Sequence, residues 1–364
     1  MDFKLTKTQM LQQELFRKFA ETEIKPIAKD MDEAEDYDRE LLQKLQKIGA
    51  FGIPYSREYG GQGADVLTYT LCMEEMSKVD ASTGITLSVH TSLCCPCINE
   101  FGTEEQKQKY LVPLAKGEKI GAFGLTEPSA GTDSSMQQTT AVLDGDEYVL
   151  NGTKVFITNA GYADIYVVIA MTDKSKGNKG ISAFIVEKGT PGFSVGKKER
   201  KMGIRGSATC DLIFENCRIP KENILGKEGQ GFKIAMQTLD GGRIGIASQA
   251  LGIMQGAIDE CVKYVMERRQ FGKKIGQFQN TQFELADMAT KAEAAKLLVY
   301  EAAATKDAGK PYSHLSAMCK YFAGSTASDI TRRCLQLFGG YGYTRDYPVE
   351  RMMRDAKITE IYEG

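Results

Sequence analysis

The period of the hydrophobic pattern changes twice along this chain, and that order restricts the fold more than any other feature of the sequence. Residues 1–117 place apolar residues at helical spacing, residues 118–228 form short runs rich in Val, Ile, Phe and Thr, and residues 229–364 return to long helical patterns. The turns Asp144-Gly145 and Asn151-Gly152 punctuate the middle part. We therefore predict an α+β fold with an N-terminal α-helical domain, a middle antiparallel β-domain and a C-terminal helical bundle. This order excludes the βαβ alternation of a Rossmann fold.

Charge and residue usage exclude several classes of protein. The 46 Lys+Arg and 48 Asp+Glu leave a net charge of -2, which gives no overall field for nucleic acid or an anionic membrane. No apolar run approaches the ~20 residues that span a bilayer. We expect no signal peptide, because the start has no continuous apolar stretch, and Thr6 and Gln9 instead fit a helix capping box. Nine cysteines without an export signal predict reduced thiols. We expect a soluble, cytoplasmic protein with no nucleic-acid or membrane partner.

Histidine is scarce, because only His90 and His314 occur, so histidine-rich metal sites and most hydrolase triads are disfavoured. His90, Cys94 and Cys97 could share one helical face, but zinc would need a fourth ligand. Their apolar neighbours favour packing in the core, and we expect no metal site.

Two segments of the β-region end in loops that could hold a ligand. The segment 124–133 ends an apolar strand with small, hydroxyl and acidic residues, and such a loop exposes backbone N–H groups. Alone it could be an ordinary polar turn. The aromatic ring and the hydroxyl of Phe156 and Thr158 could bracket a flat ring system, although a core Phe beside a strand Thr is the alternative.

Two further segments lie in the last third. Residues 267–272 place Arg268 at a helix end shortly before Gly272, and residues 336–343 contain the pair Gly339-Gly340. An Arg there can hold a pyrophosphate, and paired glycines permit close backbone approach. Taken separately, a charged helix end and a glycine cap explain them equally well.

Two further motifs lie near the end of the chain, Arg354-Asp355-Ala356-Lys357 and Ile361-Tyr362-Glu363-Gly364. Together and in this order, the motifs resemble the acyl-CoA dehydrogenase family across nearly the whole chain. The segment 240–245 is most similar to short-chain, butyryl-type members. The resemblance implies the same three domains, with a C-terminal four-helix domain, a homotetramer, and FAD as cofactor. The family continues past the position of Gly364 through a segment that touches FAD and a last helix, so we expect the C-terminal domain here without that helix.

The resemblance also implies which residues contact the cofactor. Thr126 and Thr158 would hydrogen-bond near the isoalloxazine ring, and Arg268, Gln279 and the segment 336–340 would hold the pyrophosphate and adenosine, partly across a subunit interface. The full implied set is Phe123, Leu125, Thr126, Gly131, Thr132, Phe156, Ile157, Thr158, Arg268, Phe271, Gln279, Gln336, Leu337, Phe338, Gly339 and Gly340.

The implied catalytic base is Glu363, which would remove the α-proton of a thioester while a hydride leaves the β-carbon for the flavin. The implied substrate contacts are Thr132, Asp240, Gly241, Gly242, Arg243 and Gly364. Some relatives carry the base immediately before the arginine matched by Arg243, but Gly242 stands there and cannot take a proton. A Glu near pKa 4.3 needs a dry site that raises its pKa toward ~7 to act as a base. A solvated Glu and a surface ion pair of Arg243 are the alternatives.

The resemblance further implies a short-chain acyl-CoA substrate, a trans-2-enoyl-CoA product and electron-transfer flavoprotein as the electron acceptor. Two other functions stay open at this stage. An acyl-CoA oxidase would pass the same electrons to oxygen, and a flavin-binding assembly scaffold would not turn over.

Overall fold

The computed structural model describes residues 4–364, and its order of elements confirms the predicted sequence of helices, sheet and helices. The N-terminal helices are α1 (Lys7–Phe19), α2 (Ala28–Ala34), α3 (Arg39–Lys47), α4 (Val66–Ser77), α5 (Ala81–Ser88), α6 (Cys95–Phe101), α7 (Glu104–Gln106) and α8 (Val112–Ala115). The C-terminal helices are α9 (Gly231–Glu267), α10 (Gln279–Asp307), α11 (Ser313–Phe338) and α12 (Val349–Ala356). None of the helices in the described part of the chain could cross a membrane.

The strands lie between the two helical regions, apart from one small hairpin. They are β1 (Gly121–Gly124), β2 (Thr140–Asp144), β3 (Glu147–Thr158), β4 (Ile165–Met171), β5 (Ile181–Glu187), β6 (Phe193–Lys198), β7 (Thr209–Pro220), β8 (Ile224–Leu225), and the hairpin strands β9 (Arg269–Gln270) and β10 (Lys273–Lys274).

The main sheet has the strand order β6-β7-β3-β2-β4-β5-β8, with β1 paired to β4. Most pairs are antiparallel, as predicted, but β1 and β2 pair with β4 in parallel, so the sheet is mixed. The four residues of β1 are too few to show a period, and their pairing depends on where the preceding helices deliver the chain. The sheet therefore receives β1 directly from the N-terminal helices.

Sequence signals account for the ends of several helices. The capping box at α1 is confirmed, because the Thr6 hydroxyl accepts from the Gln9 backbone N–H and the Gln9 side chain accepts from that of Thr6. Asp65 caps α4 through the N–H of Thr68.

Glycines bring α9 close to the N-terminal helices. A Cβ added at Gly252 would lie 2.4 Å from the carbonyl oxygen of Glu74, and one at Gly256 would lie 2.2 Å from that of Lys78. No larger residue fits between these backbones, so α9 packs directly on α4 and its end. This contact fixes α9, the helix that also carries Gly242 and Arg243, against the N-terminal domain.

Charged side chains join the three regions near the end of the chain. Arg354 on α12 forms a bidentate pair with Asp32 on α2, at 2.6 and 3.0 Å, and also donates to the carbonyl of Met202. The Asp355 carboxylate accepts from the backbone N–H of Ile204 at 2.6 Å. These contacts fix the segment that leads to Glu363.

Candidate active site

Glu363 lies in a turn held against α9. Its φ of 60° is in the left-handed region, which a residue with a side chain rarely adopts. Its backbone carbonyl accepts from Arg243 Nε at 3.0 Å, so an arginine on α9 holds the turn. Although the residue as a whole is half-buried, the side-chain oxygen Oε2 is buried and has no hydrogen-bond partner among residues 4–364. An unpartnered buried oxygen of this kind costs stability, so its presence indicates a function.

Burial raises the pKa of Glu363 to about 8, and the positive charges of Lys320 and Arg243 offset part of that effect. The carboxylate of Glu363 therefore holds a proton more tightly than an exposed glutamate does. A carboxyl with a pKa near the working pH can exchange a proton with a bound ligand in either direction.

The space for this carboxyl group exists because position 242 is glycine. A Cβ on Gly242 would lie 2.2 Å from Glu363 Oε2 and 2.7 Å from a methyl carbon of Leu93. The place where some relatives carry the base is thus occupied here by the carboxylate of Glu363.

The neighbours of Glu363 are also anchored. The Tyr362 hydroxyl donates to Gln249 Oε1 on α9, and Gln249 Nε2 donates to the carbonyl of Ala81 at 2.8 Å. The chain before the carboxyl group is thereby tied to α9 and to the start of α5.

Lys320 is a neighbour that the sequence prediction missed. It lies on the buried face of α11, is only 3% exposed, and carries a positive charge that faces Glu363 and Arg243. Ser316, Cys319, Ala323 and Ala327 share that buried face, so a lysine among small residues at helical spacing was the available signal.

The other predicted substrate residues divide into two groups. Asp240 forms an ion pair with Arg243 at 2.8 Å, and Gly364 lies beside the same guanidinium, so these residues meet at Glu363. Gly241 faces α10 rather than Glu363, because a Cβ there would lie 2.7 Å from Lys306 Nζ. Thr132 is an exposed loop residue, and no hydrogen bond or ion pair of the described residues joins it to Glu363 or Arg243.

The two loop segments of the β-region do come together. The backbone N–H of Val155 donates to the carbonyl of Thr126 at 2.9 Å, which joins the loop after β1 to β3. The pairing of β3 with β7 shifts register between Lys154 and Ile157. Phe156 stands in that bulge with φ 60° and its side chain 63% exposed. An exposed aromatic ring at a strained position is suited to covering a flat ligand.

The remaining members of this group differ in burial. Phe123, Leu125 and Ile157 are buried, Thr126 and Thr158 are half-buried, and Gly131 is exposed. The carbonyl of Thr126 makes the contact between the segments, and Thr158 lies two residues after Phe156. The hydrogen bond from Val155 therefore brings the two predicted ring-binding segments side by side.

The predicted pyrophosphate residues lie at the far end of the helical bundle. The guanidinium of Arg268 lies 5.1 Å from the centre of the Tyr341 ring, and the buried Phe338 stacks on Tyr264 at 4.0 Å. Phe271 at the tip of the β9–β10 hairpin is 92% exposed. The other members are half-buried (Leu337) or exposed (Gln279, Gln336, Gly339, Gly340).

The cysteine and histidine cluster is part of the core. His90 donates through Nε2 to the carbonyl of Leu114 at 3.1 Å and accepts through Nδ1 from the N–H of Gly121 at 3.0 Å. Burial lowers the pKa of His90 to about 4. Cys97 contacts the hydroxyl of Thr238. His90 thus serves to attach β1 to the helices, and residues 4–364 contain no group of side chains that could hold a metal ion.

Two surface cavities lie away from this site. One lies between Lys25 and Tyr347 and the other between Arg17 and Tyr300. Neither is lined by a predicted site residue, so the chemistry of Glu363 rather than cavity size identifies the candidate site.

Known proteins match the chain over its whole length. Profiles of the acyl-CoA dehydrogenase N-terminal, middle and C-terminal domains match residues 6–118, 122–217 and 229–364. The short-chain specific acyl-CoA dehydrogenase of Clostridium acetobutylicum is 61% identical over 100% of this chain and 96% of its own.

Solved structures agree with that match. Butyryl-CoA dehydrogenase from Megasphaera elsdenii superimposes with a TM-score of 0.98 and 54% identity, covering 100% of this chain and 96% of its own. A structure from work on the electron transferring flavoprotein of Acidaminococcus fermentans and flavin-based electron bifurcation has a TM-score of 0.99 and 61% identity, with the same coverage of 100% and 96%. The chain therefore belongs to the acyl-CoA dehydrogenase family.

Proposed function

We propose that the protein is an FAD-dependent dehydrogenase that converts a short-chain acyl-CoA, such as butyryl-CoA, to the trans-2-enoyl-CoA. The observation that carries this proposal is the buried, unpartnered carboxyl oxygen of Glu363, whose pKa is raised to about 8. A base with this pKa, protected from water, suits removal of a weakly acidic α-proton.

The donor set and the free space fit FAD. A Cβ at Gly131, Gly339 or Gly340 would meet nothing within 4 Å, so ligand atoms can approach these backbones. Thr126, Phe156 and Thr158 would hold the ring, and Arg268 would hold the pyrophosphate. When bound, the oxidised flavin supplies the acceptor for the β-hydride.

The residues of the chain perform the rest of the reaction. Glu363, in its ionised form, takes the α-proton onto its carboxylate. Arg243 holds the backbone of that residue, and Gly242 leaves room for its carboxyl group. The backbone N–H of Glu363 would polarise the thioester carbonyl, as the family resemblance implies. An acyl chain beside Leu93 would exclude water from the carboxylate.

The relatives support the short-chain preference, since one is named short-chain specific and another butyryl-CoA dehydrogenase. A related structure from work on an electron transferring flavoprotein supports that protein as the electron acceptor.

A homotetramer in which neighbouring copies complete the FAD site is part of the proposal. Large exposed side chains on the C-terminal helices and their loops support a contact with a second copy, namely Phe271, Phe283, Met318, Tyr321 and Tyr343.

The test is an anaerobic titration of the purified yellow protein with butyryl-CoA, following the oxidised flavin band. The parent should bleach, whereas Glu363→Gln should bind FAD and not bleach. Glu360→Gln is the matched control, because Glu360 is an exposed acid that pairs with Lys357 in the preceding turn. It should behave like the parent.

Other outcomes would select another function. A parent that binds FAD but bleaches with no acyl-CoA supports the scaffold function. Rapid reoxidation of the bleached flavin by oxygen supports an oxidase. A kcat/KM that peaks at eight carbons or longer would overturn the short-chain preference.

A further inference from the structure

A buried ion pair lies next to the two loop segments that meet at Thr126 and Val155. Lys154 on β3 and Glu127 in the loop have 0% and 2% of their side chains exposed, and Nζ lies 2.6 Å from Oε1. Lysine and glutamate are almost never fully buried unless they are paired. The Glu363 chemistry described above does not use this pair.

The pair is fully hydrogen-bonded within the β-region. Lys154 Nζ also donates to the carbonyl of Leu125 at 3.1 Å and to Gln137 Oε1. Gln137 Nε2 donates to the same carbonyl at 3.2 Å. The Glu127 carboxylate accepts from the backbone N–H groups of Gln138 at 2.6 Å and Thr139 at 3.0 Å. Both ends of the loop are thus attached to one lysine.

These contacts determine the orientation of one peptide group. Because a trans peptide is planar, its C=O and N–H point in opposite directions. The carbonyl of Leu125 points inward to Lys154, so the N–H of Thr126 in the same peptide points away from the buried pair. That N–H donates no hydrogen bond within the described chain. The half-buried Thr126 therefore has a free backbone donor at the contact between the two segments.

The same lysine precedes the strained part of β3. Val155, the next residue, donates to the carbonyl of Thr126, and Phe156 follows with φ 60°. Both segments that face the proposed flavin are consequently held by residues 154 and 155.

We propose that Lys154 and Glu127 are positioning residues of the flavin site, which turn the N–H of Thr126 toward the ring and hold Phe156 in place. The inference rests on the proposed function, since it assumes that FAD occupies this surface. It predicts that loss of the pair changes flavin affinity and the flavin spectrum rather than the fold alone.

The test compares full-length Lys154→Met/Glu127→Gln with the parent. Changing both residues avoids the unpaired buried charge that either single change would leave. The dissociation constant for FAD should rise about tenfold, the size of one lost hydrogen bond to a bound ligand. The visible band of the bound flavin should shift.

A matched control removes an exposed pair near the other end of β3. Lys221 and Asp146 have 56% and 85% of their side chains exposed, so Lys221→Met/Asp146→Asn should leave FAD affinity and the spectrum unchanged. Circular dichroism of each variant reports whether the fold is retained.

A folded double variant with the parent's affinity and spectrum would overturn the inference. If the double variant does not fold, Gln137→Leu decides, because it removes the second donor to the carbonyl of Leu125 and one acceptor of Lys154 but leaves the ion pair of Lys154 with Glu127 in place. Weaker FAD binding with a shifted band would support the inference, and parent-like values would overturn it. A parent that binds no FAD overturns the proposed function as well.

Discussion

The proposed site has two halves, and a single chain encloses one of them much more fully than the other. Around Glu363, residues of a single chain surround the carboxyl group, namely Gly242 and Arg243 on α9 and Lys320 on α11. Around Arg268, most of the predicted contacts are exposed, and Phe271 has 92% of its side chain in solvent. We infer that the chemistry is built into each chain, whereas retention of the cofactor depends on what covers the exposed half.

The largest effect on the reaction is expected from a methyl group added to the buried half. Gly242→Ala would place a Cβ 2.2 Å from Glu363 Oε2, and either the carboxyl group or α9 must move. We expect kcat to fall about a hundredfold, the effect of displacing a reacting group by about 1 Å. The affinity for FAD should remain unchanged. Stopped-flow reduction by butyryl-CoA and flavin release measure the two quantities.

The matched variant Gly340→Ala adds the same methyl group to the exposed half, where nothing lies within 4 Å of it. It should leave kcat of the FAD-saturated enzyme unchanged. Equal kcat values for the two variants would contradict the proposal that close packing around Gly242 positions the carboxyl group of Glu363.

The next largest effect concerns the exposed half. Phe271→Ser removes a ring that contacts little within one chain, so the stability of the isolated chain should hardly change. If a second copy covers this ring, FAD should dissociate about tenfold more readily and the tetramer should weaken, as expected for loss of a buried phenyl group. Analytical ultracentrifugation and flavin release provide the measurement.

Val142→Ser is the control, because Val142 is also exposed but lies on β2 of the sheet. An unchanged assembly in Phe271→Ser would show that the exposed half needs no neighbour at this residue.

The sequence predicted those features that depend on local pattern. The change of period predicted the order of helices and strands, whereas the two possible positions of the base, 242 and 363, were implied by the family resemblance. The assignment of Glu363 as the base stays a prediction until the titration is done.

Long-range partners could not be predicted in this way. Lys154 and Glu127 are 27 positions apart, and Lys320 and Glu363 are 43 apart, so no helical or strand spacing joins either pair. The parallel pairing of β1 had the same cause, because four residues show no period. In each case the missing information was the tertiary fold, which brings together residues and strands that are far apart in the sequence.

The smallest predicted effect tests how the buried half sets the pKa of its base. Removing the charge in Lys320→Met should raise the pKa of Glu363 further, because Lys320 lowers it. Since the ionised form removes the α-proton, the rate of flavin reduction should rise with pH, and the midpoint in Lys320→Met should lie at higher pH. At pH 7 the rate should fall about twofold to fivefold, the size of a partly solvated charge interaction, while the high-pH plateau remains. Lys310→Met, an exposed lysine between α10 and α11, should leave the profile unchanged. A midpoint that stays in place would show that the charge of Lys320 has no effect and that burial and Arg243 set the pKa of this carboxyl group, whereas a midpoint at lower pH would contradict the assigned direction of the Lys320 effect.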